Sequence, residues 1–134
     1  MTETVVLDTD VLSFIAKADT RASLYEGDMA NRTLCVCFQT VAELRLWALV
    51  RHWGQTRQSE LDALLKRFIV LRYDFPMAQH WAQLTADRRA LGKPIECGDA
   101  WIAASAIRHG ATLLTHNGKH YADIPVLNVV SHSV

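Results

Sequence analysis

Four acidic side chains stand at the boundaries of predicted helices and strands rather than on open helix faces: Asp8, Glu43, Glu96 and Asp99. Carboxylates that gather in one crevice repel one another unless a cation or a shared proton compensates their charge. Hard divalent ions such as Mg²⁺ take carboxylate and water ligands. Bound metal ions can activate water and stabilise the charge that builds on a phosphodiester during cleavage. A metal centre that acts on phosphate esters is therefore one candidate chemistry for these acids.

Each acid except Asp8 also has a structural explanation. Thr40 and Glu43 have the spacing of a capping box, in which Glu43 folds back onto the Thr40 amide at the start of a helix. Asp99, in the first turn of its predicted helix, would favour the positive end of the helix dipole. Glu96 lies in a proline-containing loop and is expected to be solvated. Asp8 is harder to explain in this way, because a charge that ends a buried strand needs a partner.

The element that positions Asp8 is the apolar run Val5–Leu7, which predicts a strand buried on both faces. The chain then turns at once into a helical pattern, with Asp10 as the expected N-cap of a helix that begins near Val11. In an open parallel sheet, groups at the carboxyl ends of strands point into the crevice where ligands bind. We therefore expect Asp8 at the mouth of such a crevice.

Further strands and helices alternate along the chain. Apolar runs predict strands at Leu34–Phe38, Ile69–Leu71, Thr112–Thr115 and Val126–Val130. Helical spacing predicts helices over Thr20–Ala30, from Thr40 to near Gly54, from Ser59 to near Phe68, from Pro76 to Gly92 and from Asp99 to Gly110. This alternation predicts an α/β fold, a three-layer α/β/α sandwich with a central parallel sheet. We expect one domain over residues 1–134.

Composition places the chain among compact globular proteins, since half of its 134 residues are hydrophobic and 21% are charged. No apolar run approaches the roughly 18 residues of a membrane span, and the first residues lack the basic region of a signal peptide. We therefore expect a cytoplasmic protein that does not enter a membrane. Cys35, Cys37 and Cys97 do not have a metal-binding spacing, and the first two are expected to be buried thiols on a strand.

The formal net charge is zero, but it is unevenly distributed. Residues 1–43 carry seven acids and three bases, whereas residues 44–93 carry nine bases and four acids. The basic segment 44–93 can guide a polyanion toward an acidic, metal-loaded centre. Solvated helix faces explain the same pattern equally well.

Four blocks of sequence, in this order, together cover nearly the whole chain: Val5–Ser13, Thr40–Leu44, Gly98–Ala106 and Leu113–Asn117. They resemble the conserved blocks of PIN-domain proteins and, more narrowly, of the VapC toxins of bacterial and archaeal toxin–antitoxin pairs. The resemblance implies a PIN-like fold and an endoribonuclease that depends on Mg²⁺ or Mn²⁺.

The same resemblance implies roles for five residues. Asp8, Glu43 and Asp99 would be catalytic and would hold the metal ion, Glu43 either directly or through water. Thr115 and Asn117 would lie beside the metal as polar support. On this reading the metal-activated water attacks an RNA phosphodiester in line.

The chain departs from the family pattern at one position. Many members carry a fourth acid three residues beyond the position of Asn117, where this chain has His120. His120 can replace that acid, contact the RNA phosphate or do neither, so the number of metal ions stays open. Asp10 matches a position where the family often has Asn or Ser, which fits a helix cap. A zinc pair of His116 and His120 is disfavoured because Gly118 between them indicates a loop.

The resemblance also implies partners. RNA would be the substrate, held through its phosphates by the arginines and lysines of the basic segment 44–93. A VapB-like antitoxin would cover a groove between the early helices, with Trp47 and Trp53 as contacts. Trp53, at a helix end, is the tryptophan that we expect to be most exposed. A homodimer is expected as well.

Two other functions compete with this interpretation. A strand that ends in Asp-x-Asp also opens the haloacid-dehalogenase-like phosphatases, in which Asp8 would be the nucleophile and Asp10 a general acid. Their last motif needs another acid shortly after the Asp99 position, and Ala100–Ala104 supplies none. The other alternative is a catalytically inactive PIN-like binding module, which a broken acid cluster would favour.

Overall fold

The computed structural model describes residues 3–133. Its five strands are β1 (Thr4–Leu7), β2 (Thr33–Cys37), β3 (Ile69–Leu71), β4 (Thr112–Leu114) and β5 (Asn128–Val130). Its α-helices are α1 (Thr9–Ala16), α2 (Glu26–Met29), α3 (Phe38–Val50), α4 (Gln55–Leu65), α5 (Phe75–Ala90) and α6 (Cys97–Arg108). Two 3-10 helices span Thr20–Tyr25 and Gly118–Tyr121. In the part of the chain that is described, no helix is long and apolar enough to cross a bilayer.

The strands form one parallel sheet in the order β3-β2-β1-β4-β5. Successive strand residues point to opposite faces. Val6 and Leu113 therefore join a core with α5 and α6, whereas Leu7 and Leu114 join a second core with α1, α3 and α4. The predicted three-layer α/β/α sandwich is confirmed.

The strand order explains where a site can form. β1 lies at the centre of the sheet, paired with β2 on one side and with β4 on the other. The chain order runs outward from β1 to β3 on one side and from β4 to β5 on the other. In open α/β sheets, ligands bind in the crevice beyond the carboxyl ends of the strands at such a switch point. That crevice begins at Asp8, whose backbone N–H donates to the Leu114 carbonyl at 2.8 Å.

The helix after β1 begins two residues earlier than predicted. Asp8 itself is the N-cap of α1, and its Oδ1 accepts a hydrogen bond from the Thr9 N–H at 2.8 Å. The prediction that Asp10 caps this helix near Val11 was therefore wrong. Asp10 lies inside the first turn of α1 instead, so its carboxylate can reach other elements.

The helix after β2 also begins earlier, at Phe38, and this removes the predicted capping box. Thr40 is a buried residue within α3, and its hydroxyl accepts a hydrogen bond from the Thr9 hydroxyl at 3.0 Å. Glu43 lies in the second turn of α3, where its Oε1 accepts from Gln39 Nε2 at 3.0 Å. Glu43 is consequently not a capping residue.

Three other boundaries differ from the sequence prediction. The predicted helix over Thr20–Ala30 is a 3-10 helix followed by the single turn of α2. α4 begins at Gln55 rather than Ser59. β5 begins at Asn128 because Val126 has a φ of 59°, which a strand cannot accommodate.

Of two predictions about buried side chains, one is confirmed and the other is wrong. Cys35 and Cys37 are buried free thiols, as predicted. Trp53 was predicted to be the most exposed tryptophan, but only 8% of its surface is exposed. Its ring packs in the core that contains α1, α3 and α4, with the Arg57 guanidinium 3.9 Å above the ring centroid.

Candidate active site

Asp8 is a buried carboxylate at the carboxyl end of the central strand, with 6% of its surface exposed. Its Oδ1 accepts from the Thr9 N–H, and its Oδ2 accepts from the hydroxyls of Thr115 at 2.7 Å and Tyr121 at 3.0 Å. Burial, reinforced by the charge of Asp10, raises the pKa of Asp8 to about 7. Its partners are thus neutral donors, which leaves its negative charge uncompensated.

Asp99 meets Asp8 through a single hydroxyl group. It lies in the first turn of α6, as predicted, and its Oδ1 is 3.3 Å from the Tyr121 hydroxyl that also contacts Asp8. His120 Nδ1 is 3.3 Å from the other oxygen, Oδ2. Burial raises the pKa of Asp99, and the nearby His120 opposes this shift. Two carboxylates that are remote in sequence therefore face one small space.

Glu43 approaches Asp99 across a glycine. A Cβ atom built on Gly98 would lie 2.9 Å from Glu43 Oε1 and 3.0 Å from Gln39 Nε2. The absence of a side chain at Gly98 thus lets the Glu43 carboxylate lie against the first turn of α6, next to Asp99. The Tyr121 hydroxyl thus links Asp8 to Asp99, and Glu43 lies against the helical turn that carries Asp99.

Thr115 and Asn117 have different contacts. The Thr115 hydroxyl donates to Asp8 Oδ2 and accepts from the Asn117 N–H at 3.1 Å. Asn117 Nδ2 donates to Asp10 Oδ2 at 3.0 Å, and so does the His116 N–H at the same distance. Asp10 therefore connects α1 to the loop after β4, and Asn117 supports the site through Asp10.

His116 and His120 do not face a common point. His116 Nδ1 lies 2.7 Å from the hydroxyl of Tyr25, whereas His120 Nδ1 faces Asp99. The loop between them forms the short 3-10 helix over Gly118–Tyr121. This geometry disfavours a zinc pair of His116 and His120.

A cavity of about 370 Å³ opens beside Asp99. It is lined by Arg88, Pro94, Ile95, Glu96, Asp99, Lys119 and His120. Of the basic segment 44–93, Arg88 reaches this cavity, while Arg45 and Lys93 form ion pairs with Asp62 and Asp123. Lys119, outside that segment, adds a further positive charge.

The carboxylates of Asp8, Asp99 and Glu43 fit a metal ion that retains several water ligands. Among residues 3–133, no group of three or more His, Cys, Asp or Glu side chains is arranged to hold a metal ion. Mg²⁺ does not need such a group, because it is commonly held by one or two carboxylates with water in the other positions. A cation between Asp8 and Asp99 would also offset the burial and repulsion that raise the pKa values of both groups.

Tyr121 is the site residue that the sequence analysis missed. Its side chain is 2% exposed, and burial, together with the charges of Asp8 and Asp99, raises its pKa. The one signal in the sequence is its type, because a buried tyrosine hydroxyl needs a hydrogen-bond partner. The partner of the Tyr121 hydroxyl depends on how α6 packs against the loop after β4. Local sequence patterns do not predict this packing.

Comparisons with known proteins agree with this fold. The family model for the PIN domain matches residues 5–127. The VapC ribonuclease Y4jK of Sinorhizobium fredii is 34% identical, over 92% of this chain and 96% of that protein. Ribonuclease VapC4 of Mycobacterium tuberculosis is 33% identical, over 69% of this chain and 72% of that protein. In the solved structure of VapBC2 from Rickettsia felis bound to promoter DNA, one chain matches with a TM-score of 0.85 and 25% identity, covering 96% of this chain and 98% of its own length.

The chain therefore belongs to the PIN-domain family, whose ribonucleases are generally metal-dependent. Within that family it is a VapC-type ribonuclease, the toxin of a VapBC toxin–antitoxin system. Both the fold and the family were predicted from the four sequence blocks. The phosphatase alternative is overturned by this membership, and Asp10, its required general acid, is engaged by Val11, His116 and Asn117.

Proposed function

We propose that this protein is an endoribonuclease that hydrolyses RNA phosphodiesters with one bound Mg²⁺ or Mn²⁺ ion. The observation that supports it most strongly is that the buried carboxylate of Asp8 and the half-buried carboxylate of Asp99 contact the same Tyr121 hydroxyl. Glu43 lies against the same turn of α6. An inactive binding module would have no reason to keep Asp8 and Asp99 close together, where burial raises the pKa values of both.

The proposed roles follow from these contacts. Asp8 and Asp99 hold the ion, and Glu43 does so directly or through water. When bound, the ion activates water and stabilises the charge that builds on the phosphodiester. Thr115 fixes the orientation of Asp8, and Asn117 fixes Asp10 and the loop that carries Thr115.

His120 is assigned to the substrate side of the site. It lines the cavity beside Asp99 together with Lys119 and Arg88, and 48% of its side chain is exposed. Lys119 is an exposed cation beside His120, and groups in this position can contact RNA phosphates, which hold the chain without reading its sequence. We therefore assign His120 to phosphate contact rather than to the place of a fourth acid, and we propose a single metal ion.

The proposed antitoxin site is an apolar groove of about 210 Å³ between α1, α2 and α4. Ile15, Met29, Leu34, Leu64 and Phe68 line it, with Arg67 and Glu26 at its edge. A VapB-like antitoxin would insert apolar side chains here. Trp53 is too buried to be a principal contact, although it borders the adjacent cavity together with Leu61.

The predicted homodimer and the single PIN-like domain also remain proposals. One parallel sheet contains all the strands of residues 3–133, which supports one domain. Apolar side chains on α3, among them Leu46 at 56% and Leu49 at 65% exposure, offer a surface for a second copy. Sedimentation equilibrium of the purified chain would distinguish monomer from dimer.

The test of the enzymatic proposal is cleavage of total cellular RNA, with mapping of the ends produced. We expect cleavage with Mg²⁺ or Mn²⁺, no cleavage with excess chelator, and no cleavage by Asp99→Asn. The matched control is Asp87→Asn, which alters an α5 carboxylate that accepts from Gln83 on the surface. Cleavage by Asp99→Asn at the wild-type rate would refute the assignment.

A further inference from the structure

We propose that Tyr121 is a positioning residue for the metal-holding carboxylates: its hydroxyl fixes which oxygen atom Asp8 presents to the cation and lies between Asp8 and Asp99. This inference rests on the proposed function, because it assigns Tyr121 to the same metal site. The residue would act through the two acids and would not contact RNA.

The two carboxylate oxygens of Asp8 accept different numbers of hydrogen bonds. Asp8 Oδ2 accepts two hydrogen bonds, from Thr115 at 2.7 Å and from Tyr121 at 3.0 Å. Asp8 Oδ1 accepts one, from the Thr9 N–H at 2.8 Å. A carboxylate oxygen has about two lone-pair directions. With Tyr121 in place, Oδ1 is therefore the Asp8 oxygen that retains a free direction for a cation.

The Tyr121 hydroxyl lies between the carboxylates of Asp8 and Asp99. A phenol carries one proton, so it donates mainly to the closer oxygen, Asp8 Oδ2, while it stays 3.3 Å from Asp99 Oδ1. Asp8 cannot rotate away without losing this hydrogen bond. The carboxylate of Asp8 is thereby held in place before the ion arrives, which reduces the reorganisation that binding requires.

Arg88 holds the backbone on both sides of Tyr121. The buried Arg88 guanidinium donates to the carbonyls of His120 and Ala122, the residues that flank it. It also donates to the Lys93 carbonyl at 2.8 Å. The Tyr121 ring packs in the core with α5 and α6. A phenylalanine would fill that space equally well, so packing alone does not require the hydroxyl.

The experiment compares Tyr121→Phe with a matched control, Tyr25→Phe. Tyr25 is also fully buried, but its hydroxyl contacts the Thr115 carbonyl, His116 and the His132 N–H instead of the acids. Mn²⁺ affinity is measured by calorimetry, and RNA cleavage gives kcat and KM. We expect Tyr121→Phe to bind Mn²⁺ about tenfold more weakly, as removal of an outer-shell partner typically does. We expect kcat to fall while KM for RNA is unchanged, and Tyr25→Phe to keep the wild-type Mn²⁺ affinity.

A second measurement does not depend on the folding of a variant. The chain contains three tyrosines, and ¹³Cζ labelling gives each one a resonance in the wild-type protein. Addition of diamagnetic Mg²⁺ should shift the Tyr121 resonance and leave that of exposed Tyr73 unchanged. An unshifted Tyr121 resonance at saturating Mg²⁺ would contradict the positioning role.

The outcomes separate this inference from the proposed function. If the wild-type protein binds Mn²⁺ and cleaves RNA while Tyr121→Phe binds Mn²⁺ equally well or more tightly, the positioning role is wrong and the proposed function stands. If the wild-type protein neither binds Mn²⁺ nor cleaves RNA, both are wrong.

Discussion

At the scale of single residues, Asp8 carries an energetic penalty that the fold tolerates. The carboxyl group is buried among neutral donors, and its pKa is raised from 3.8 to about 7. A group that binds its proton more tightly in the folded state favours folding at low pH. The contribution of Asp8 to the free energy of unfolding therefore decreases as the pH rises from about 4 to about 7, and it stays constant above that range.

Asp8→Asn should consequently stabilise the metal-free protein at neutral pH while abolishing cleavage. Asparagine keeps the N-cap, since it is as good a cap as aspartate, and its neutral amide removes the penalty of a buried charge. We expect a gain of roughly 2–4 kcal/mol in the free energy of unfolding at pH 8, from about 1.4 kcal/mol per pKa unit. Urea unfolding of both proteins in chelator, from pH 4 to pH 8, measures it. A gain that is the same at pH 4 and pH 8 would exclude this explanation.

At the scale of elements, the contact between α3 and α6 determines where Glu43 lies. Gly98→Ala would place a methyl group 2.9 Å from Glu43 Oε1. Because that oxygen ends a flexible side chain, we expect the carboxylate to move away and the fold to be kept, with stability within about 1 kcal/mol of wild type. Cleavage should decrease at least tenfold.

Gly27→Ala is the matched control for Gly98→Ala, since a Cβ on Gly27 would meet nothing within 4 Å. Chemical unfolding and RNA cleavage are measured for both variants. Full activity in Gly98→Ala would show that the position of Glu43 does not matter for the reaction.

The connection between α5 and the loop after β4 depends on Arg88. Its guanidinium donates to the backbone carbonyls of Lys93, His120 and Ala122. Arg88→Ala leaves these acceptors without their charged donor, so we expect a loss of roughly 2–4 kcal/mol in the free energy of unfolding. Urea unfolding measures the loss, and Arg89→Ala, an exposed neighbour, should change stability by less than about 0.5 kcal/mol. Equal effects in the two variants would contradict the anchoring role.

Helix boundaries show how far the sequence determines the elements. The order and type of most elements follow from apolar runs and helical spacing, and so does the burial of Cys35 and Cys37. The residues at which α1 and α3 begin do not follow from these patterns. Asp8 and Asp10 are both good caps, and the choice between them depends on Thr115 and Tyr121, which bind Asp8 from more than 100 residues away.

At the scale of the whole molecule, the site exists because the sheet brings distant segments together. Asp8 directly follows β1, Glu43 lies on α3 and Asp99 lies on α6. All three acids are near the carboxyl edge of the central strands. The four sequence blocks predicted this family and these three acids. They did not predict Tyr121 or the glycine contact, because both arise from packing between elements that are far apart in sequence.

The groove between α1, α2 and α4 leads to a prediction about the partner. Leu64→Glu places a charge among the apolar groove residues, so we expect loss of binding to an antitoxin encoded by a neighbouring reading frame, with RNA cleavage unchanged. Co-purification and cleavage assays measure the two properties. Leu91→Glu, on an exposed position at the end of α5, is the control and should keep binding. Retained binding by Leu64→Glu would place the antitoxin elsewhere.

The most direct measurement of the central claim is a crystal structure of the protein with Mn²⁺, with anomalous diffraction recorded at the manganese absorption edge. We expect one anomalous peak between Asp8 and Asp99, within bonding distance of a carboxylate oxygen of each, with Glu43 in direct or water-mediated contact. A peak at another place, or none between these two acids in crystals of protein that cleaves RNA, would contradict it.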